Sequence, residues 1–231
     1  MHPLRRLLCT TALLLLSGSA VTSSLAAPAT ASASPRDGVE YQTLPSAQPT
    51  DSGRKIEVTE FFAYYCPHCY AFEPQLAEWV KKQGDNIVFR RVHVPRGAQV
   101  APQQRLFYTL EALDLLEQYH AKAFAAMHID RLPLGQDEQV FDWASRAGID
   151  RARFIDAYRS FGVQAKLRRA QSMMEAYRIT HWPMIAIDGR FVTSPGMIQE
   201  AAREGAPQSD ALQGALQVMD QLVARAKADK K

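Results

Sequence analysis

Apolar and polar residues alternate along this chain in a way that predicts two strand-containing regions separated by helices. Residues 55–62 and 87–94 are rich in β-forming residues, and they flank residues 67–82, where apolar side chains recur at helical spacing. The strand pattern returns at residues 183–193, where an Asp-Gly turn joins two short runs into a predicted hairpin. A final amphipathic helix follows. The order is therefore strand–helix–strand, a helical block, and strand–strand–helix.

The helical block extends from about residue 102 to residue 178. The apolar spacing in its first part predicts two helices or one broken helix. A short helix that ends at Gly148 and another that is capped by Asp150 are predicted to follow. Ser209 or Asp210 is the predicted cap of the final helix of the chain. A sheet built from the two outer regions, with the helices between them as an insertion, is one compact α/β unit with an all-α subdomain.

The segment F-F-A-Y-Y-C-P-H-C-Y, residues 61–70, concentrates the chemistry of the chain. Pro67 suits the first position of a helix, so Cys66 is expected at the helix N-terminus and Cys69 one turn inside, close enough for a disulfide. The helix N-terminus favours a thiolate at Cys66, and His68 could add a hydrogen bond or a positive charge. A stabilised thiolate favours the reduced pair, which is the property of an oxidant.

Charged or titratable residues stand out in both predicted strands. Glu60 is a carboxylate in an apolar strand just before Cys66, and it is either a solvent-facing residue or a partly buried acid that assists proton transfer. Arg90, Arg91 and His93 make the second strand less apolar than a buried central strand should be. For His93 we favour a structural role over a catalytic one.

Residues 1–26 have the features of a secretory signal peptide. Arg5 and Arg6 precede an apolar run at residues 7–16, and residues 24–26 form a small-x-small cleavage site. The alternative is an uncleaved membrane anchor, for which the apolar run is short. Export would place the protein in an oxidising compartment.

Residues 27–52 are rich in Ala, Ser, Pro and Thr and predict a flexible lead-in, with a possible short edge strand at residues 41–44. The signal segment contains two of the 27 Lys and Arg residues and none of the 24 Asp and Glu residues, so its removal leaves a net charge of +1. This near-neutral charge, without a basic tract, gives no electrostatic reason to expect binding to nucleic acid.

The two cysteines that remain after cleavage favour redox chemistry over metal binding. Zinc needs four ligands, and only distant residues such as His93 or His181 could supplement Cys66 and Cys69. Covalent haem attachment requires His directly after the second cysteine, where Tyr70 stands. A purely structural disulfide would close too short a loop to stabilise the fold greatly. We therefore expect no metal and no bound cofactor.

The motif C-P-H-C within F-F-A-Y-Y-C-P-H-C-Y-A-F-E-P, followed after the helical block by T-H-W-P-M-I-A-I-D-G-R-F, resembles the DsbA family of periplasmic thiol:disulfide oxidoreductases. The resemblance covers nearly all of the chain after the signal segment. It implies a thioredoxin fold with an all-α helical subdomain inserted between its β-α-β and β-β-α halves. The corresponding boundaries are residues 53–98 and 179–231 for the two halves and residues 99–178 for the insertion.

The resemblance also implies a role for each residue of the motif. Cys66 corresponds to the exposed nucleophilic cysteine and Cys69 to the buried resolving cysteine. His68 corresponds to the residue that stabilises the thiolate, and Glu60 to the acid beneath the active site. No cofactor is implied.

A substrate groove is implied by the second part of the resemblance. Pro183 corresponds to a cis-proline that faces the disulfide, and Pro67 to the other side of the same groove. The cis bond would turn the backbone of Trp182 toward the cysteines, where it could pair with an extended substrate strand. Trp182 departs from the small or β-branched residue common in this family. Its ring could narrow the groove or pack into the core beneath it.

The implied function is oxidation of reduced, unfolded exported polypeptides in the periplasm. A quinone-linked DsbB-like inner-membrane oxidase would then reoxidise the enzyme. We expect a monomer, because no exposed dimerisation helix is evident in the sequence. The enzymatic alternative is a periplasmic disulfide reductase or isomerase, whose disulfide would be more reducing. The non-enzymatic alternative is a chaperone or peptide-binding module that uses the same groove, and this activity would survive replacement of both cysteines by serine.

Overall fold

Five strands form one mixed sheet in the order β1-β5-β4-β2-β3 in the computed structural model, which describes residues 34–202 and 207–230. The predicted signal peptide, residues 1–26, lies outside these residues. The strands are β1 (Tyr41–Thr43), β2 (Ile56–Phe62), β3 (Ile87–His93), β4 (Met184–Ile187) and β5 (Phe191–Thr193). Strand β1 occupies the position of the predicted short edge strand.

Strand β2 lies inside the sheet and carries the active-site segment at its end. It pairs with β3 in parallel and with β4 in antiparallel orientation, and all seven of its residues are buried. Strand β3 is an edge strand. The edge position explains why β3 is less apolar than β2, because one side of it has no neighbouring strand.

Helix α1 (Pro67–Gln83) connects β2 to β3, and the last helix, α8 (Gln208–Asp229), packs beside it. Apolar residues of both helices cover one set of buried sheet positions; they are Phe72, Leu76, Trp79, Leu212, Met219 and Leu222, against Ile56, Val58, Ile185 and Ile187. The indole Nε1 of Trp79 donates to Asp220 Oδ1 over 2.8 Å and joins the two helices.

Helix α7 (Pro195–Ala201) was not predicted, because its seven residues are too few to show a helical period. Ser194 begins it and accepts a hydrogen bond from Met197 N at 3.0 Å. The predicted cap of α8 is wrong. That helix begins at Gln208 after Pro207, so Ser209 and Asp210 lie within its first turn.

The insertion between β3 and β4 is helical, as predicted, and contains five α-helices. They are α2 (Ala101–Ala112), α3 (Leu116–His128), α4 (Asp137–Arg146), α5 (Arg151–Tyr158) and α6 (Phe161–Ala176). The chain breaks between α2 and α3 at Asp114, which has φ +60. Asp150 caps α5 as expected, since its Oδ1 accepts from Arg153 N at 2.7 Å. The thioredoxin fold with an inserted helical subdomain is therefore confirmed.

The sheet also packs against the insertion, and the hydrophobic core between them is dominated by aromatic rings. Phe62 from β2 packs edge-on against Phe107 of α2 and near Phe124 of α3, with centroid separations of 5.1 Å and 5.8 Å. Such aromatic pairs stabilise the fold by more than the buried area of their rings alone would give.

Within the part of the chain that the structure describes, no helix is long and apolar enough to cross a membrane.

The hairpin between β4 and β5 turns at Asp188 and Gly189, whose φ values are +52 and +65. Arg190 N donates to Ile187 O at 3.0 Å, which closes a type I′ turn at the predicted Asp-Gly pair. The segment before β2 packs closely on this turn, since Gln48 N donates to Gly189 O at 2.8 Å. This part of the predicted flexible lead-in is thus held against the sheet.

Candidate active site

The two cysteines lie at the start of α1, where the chain leaves β2. Cys66 is the N-cap residue with extended backbone angles (φ −83, ψ 116), and its Sγ accepts a hydrogen bond from Cys69 N at 3.3 Å. Both are free cysteines, and both are buried. The exposed position that the resemblance implied for Cys66 is therefore wrong: the residue is only 5% exposed, because the Trp182 carbonyl lies against its sulfur. The helix cap therefore stabilises negative charge on Cys66, as the sequence predicted.

The two thiols differ strongly in acidity. A hydrogen bond from the Cys69 thiol and backbone N–H groups of Cys69 and His68 lower the pKa of Cys66 to about 7, against the opposing effect of burial. Burial, the adjacent Cys66 and the charge of Glu60 raise the pKa of Cys69 well above its usual value. One sulfur is thus available as a thiolate near neutral pH, and the other holds its proton.

The peptide bond between Trp182 and Pro183 is cis, as the resemblance implied. The Cys66 thiol donates to the carbonyl oxygen of Trp182 over 3.6 Å, so the cis-proline loop directly faces the Cys66 sulfur. Pro67 is exposed beside it. The pairing of this backbone with an extended substrate strand stays a prediction.

Glu60 is fully buried beneath this site, so the solvent-facing alternative is wrong. Its Oε2 accepts from Arg91 Nε at 3.0 Å across the β2–β3 pairing, while no hydrogen-bond partner for its Oε1 lies among the described residues. Burial raises the pKa of Glu60 to about 8, although Arg91 opposes the shift. Glu60 is consequently an acid that can carry a proton at neutral pH.

Residues 57–217 of the chain match the family model described as a DSBA-like thioredoxin domain. The chain belongs to the DsbA family. It is 36% identical over 214 residues to the thiol:disulfide interchange protein DsbA of Bordetella parapertussis, an alignment that covers 93% of this chain and 96% of that protein. It is 35% identical to the DsbA of Burkholderia cepacia over 221 residues, with 95% and 96% covered.

Solved DsbA structures have the same fold. The crystal structure of Pseudomonas aeruginosa DsbA matches with a TM-score of 0.75 at 29% identity, over 83% of this chain and 94% of that one. The oxidoreductase DsbA of Xylella fastidiosa matches with a TM-score of 0.72 at 25% identity, over 84% and 98%. This DsbA-family chain is therefore a thiol:disulfide oxidoreductase, with Cys66 and Cys69 as its C-x-x-C pair.

The His68 ring of this DsbA-family chain has a partner that the sequence did not reveal. Its Nδ1 lies 3.1 Å from Nε2 of Gln208, the first residue of α8, and the ring is exposed. At the Cys66 sulfur, the effect of His68 comes from its backbone N–H. The predicted contribution of the ring to the thiolate stays a prediction.

A buried charge network continues from Glu60 into the helical insertion. Arg91 Nη2 donates to Glu73 Oε1 at 2.7 Å, and Glu73 Oε2 lies 3.5 Å from His120 Nε2. His120 Nδ1 in turn lies 3.0 Å from the hydroxyl of Tyr64. Burial raises the pKa of Glu73, but hydrogen bonds to His120 and Arg91 and their charges outweigh it, so the pKa is lowered. The sequence showed that Arg91 is a charged residue in a predicted strand, but it did not reveal that Glu60 and Glu73 are its partners.

Two further histidines fix the backbone of the segment that precedes the cysteines. His93 is fully buried, and its Nε2 accepts from Tyr64 N at 3.1 Å, which supports the structural role we favoured. His128 of α3 donates from Nε2 to Tyr64 O at 2.8 Å and stacks on Tyr70 with ring centroids 4.7 Å apart. Both backbone polar groups of Tyr64 are thus held by side chains from different elements.

The two histidines considered as additional zinc ligands have other partners. His93 bonds to the Tyr64 backbone, and His181 Nε2 lies 2.9 Å from Ser194 Oγ. Among residues 34–202 and 207–230, no three His, Cys, Asp or Glu side chains are grouped so that they could hold a metal ion.

Proposed function

We propose that this protein oxidises pairs of cysteines in reduced, unfolded exported polypeptides by donating its Cys66–Cys69 disulfide. The observation that carries the proposal is the contrast between the two sulfurs: the pKa of Cys66 is lowered to about 7, whereas that of Cys69 is raised. Stabilisation of the Cys66 thiolate favours the reduced pair and so makes the disulfide a better electron acceptor.

The exchange begins when a substrate thiolate attacks Cys66 Sγ. The Cys66–Cys69 bond breaks, a mixed disulfide forms between Cys66 and the substrate, and Cys69 leaves with the electron pair. A second substrate thiolate then attacks the substrate sulfur of the mixed disulfide and displaces Cys66 as a thiolate. The substrate loses two electrons as its disulfide forms, and the enzyme gains them.

Glu60 supplies the proton that Cys69 needs when it leaves. The pKa of Glu60 is raised to about 8, so this carboxyl is largely protonated at neutral pH. When it is ionised, its charge raises the pKa of Cys69, so the two groups interact. A buried thiolate without a proton donor would be costly in the low-dielectric interior. Arg91 holds the carboxylate that remains after the transfer.

The location and the reoxidising partner follow from the resemblance. The predicted signal peptide at residues 1–26 and the DsbA family membership support action in the periplasm. A quinone-linked DsbB-like inner-membrane protein would take the two electrons from the reduced pair. The enzyme would work as a monomer, since one chain contains the cysteines, the acid and the cis-proline loop and no residue of a second copy is needed to complete the site.

The decisive experiment is the equilibrium redox potential of the Cys66–Cys69 pair in glutathione buffers. We expect a disulfide more oxidising than the glutathione couple. A redox potential at or below that of glutathione would contradict the proposed oxidase function and favour a reductase or isomerase function. In a parallel assay of substrate folding, the Cys66→Ser, Cys69→Ser double variant should be inactive; retained activity would instead indicate a peptide-binding chaperone.

A further inference from the structure

The Trp182 ring lies beside the nucleophile and contacts two neighbouring side chains. It is half-buried and stands at 88° to the Tyr65 ring with centroids 6.3 Å apart, while the guanidinium carbon of Arg96 lies 5.8 Å from the indole centroid. Tyr65 directly precedes Cys66, and the Trp182 carbonyl contacts the Cys66 sulfur. Tyr65, Arg96 and Trp182, which we call the Arg96 wall, therefore border Cys66 on the side of the cis-proline loop.

Arg96 uses only part of its hydrogen-bonding capacity within the described chain, where its side chain interacts with the Tyr65 hydroxyl. It is exposed in the loop after β3, and within the described part of the chain no carboxylate forms an ion pair with it. A guanidinium has five N–H donors, so those that are not directed at the Tyr65 hydroxyl remain for a carboxylate. Arg91, by contrast, is mostly buried and donates to Glu60 and Glu73.

The charge of Arg96 acts on the groove rather than on the sulfur. The groups that lower the pKa of Cys66 are the Cys69 thiol and the backbone N–H groups of Cys69 and His68, and Arg96 is not one of them. Arg96 does act on Tyr65, where it partly offsets the rise in pKa that burial causes. A positive charge thus stands next to the place where a substrate cysteine must bind, without altering the nucleophile itself.

We propose that the Arg96 wall is a specificity subsite that favours reduced polypeptides with an Asp or Glu side chain next to the cysteine to be oxidised. The substrate carboxylate would accept hydrogen bonds from the Arg96 guanidinium, and its alkyl stem would pack on the Trp182 indole. The inference rests on the proposed oxidation of polypeptide thiols and names a substrate class for it. Exposed ion pairs are weak, so we expect a preference of about two- to five-fold at low salt.

The test compares matched peptides that contain two cysteines and carry Glu or Gln either directly before or directly after the first cysteine. The second-order rate constant for oxidation by the disulfide form of the protein is measured at pH 7 in low salt and in about 0.5 M salt. Each rate is divided by the rate at which the same peptide reacts with an uncharged disulfide, bis(2-hydroxyethyl) disulfide, which corrects for the effect of Glu on the peptide thiol. The corrected Glu-to-Gln ratio should be about two to five for at least one position and should approach one in high salt.

Variants assign the preference to Arg96. Arg96→Gln should reduce the ratio to one while leaving the thiolate titration of Cys66 unchanged, and Arg96→Glu should instead favour a peptide with Lys at the same position. Arg168→Gln is the matched control, because Arg168 is also exposed over an aromatic ring, Phe161, at 5.5 Å, but on α6. This control should keep the wild-type ratio.

Three results would overturn the subsite: a wild-type ratio of one at both positions, a ratio that salt does not change, or a ratio that survives Arg96→Gln. A wild-type protein that oxidises none of the peptides would contradict the proposed function itself. The two failures are therefore distinguishable in the same set of measurements.

Discussion

Replacement of Glu60 by Gln should make the folded protein more stable in alkaline solution. Gln is close in shape to a protonated Glu and never ionises. Burial raises the pKa of Glu60 from 4.5 to about 8. A group whose pKa is raised on folding contributes stability that is fully present below its unfolded pKa and is lost as the pH rises toward its folded pKa.

The size of the effect follows from the same shift. One pKa unit corresponds to about 1.4 kcal/mol, so ionisation of Glu60 costs the folded state up to about 5 kcal/mol by pH 8 and above. The Glu60→Gln variant lacks this loss. Its free energy of unfolding should match that of the wild type near pH 4 and exceed it increasingly between pH 4.5 and pH 8.

The assay is urea unfolding of the disulfide form at a series of pH values, because in that form neither Cys66 nor Cys69 titrates. Glu57→Gln is the control, since Glu57 lies on the same strand and pairs with Arg90 instead. This control should keep the wild-type pH slope, because Glu60 remains. Parallel pH profiles for the wild type and Glu60→Gln would refute the assignment of a raised pKa to Glu60.

Two further predictions concern the thiolate and the hairpin. Thiolate absorbance of the reduced protein should titrate with a midpoint at about pH 7, since the pKa of Cys66 is lowered to about 7. In His68→Ala the midpoint should rise by less than about one unit, because the backbone N–H remains and a nearby surface charge contributes only about 0.3–1 kcal/mol. If the midpoint does not rise, the role predicted for the His68 ring is wrong. Gly189→Ala should lower the free energy of unfolding by at least about 2 kcal/mol, because a Cβ there would lie 2.1 Å from Gln48 O at a φ of +65. Gly53→Ala, at φ +59 with nothing within 4 Å, should cost only about 1 kcal/mol, and equal losses in the two variants would contradict the role of the close contact.

The features that could be predicted from the sequence are those that local spacing determines. Cys66, Pro67 and Cys69 lie within one helical turn, so their geometry follows from a strand that leads into a helix. The Asp188-Gly189 turn and the Asp150 cap are equally local. The cis bond before Pro183 needed the family resemblance, because an X–Pro bond alone favours the trans form.

The partners of the site residues could not be predicted, because they depend on tertiary packing. Glu60 meets Arg91 only through the register of two strands, and His120 reaches Glu73 only when α3 packs on α1. Gln208 meets His68 from the far end of the sequence. The periodicity of apolar residues within one segment gives no information about contacts between residues of different segments.

The hydrogen bonds of Tyr64 have a consequence for the order in which the protein matures. His128 and His120, which hold its carbonyl and its hydroxyl, come from α3 and are synthesised after the cysteines. A nascent chain that ends before α3 would carry Cys66 and Cys69 without these supports, so its thiols should behave much as they do in an unstructured peptide. Oxidising power would then depend on docking of the insertion as well as on formation of the Cys66–Cys69 disulfide.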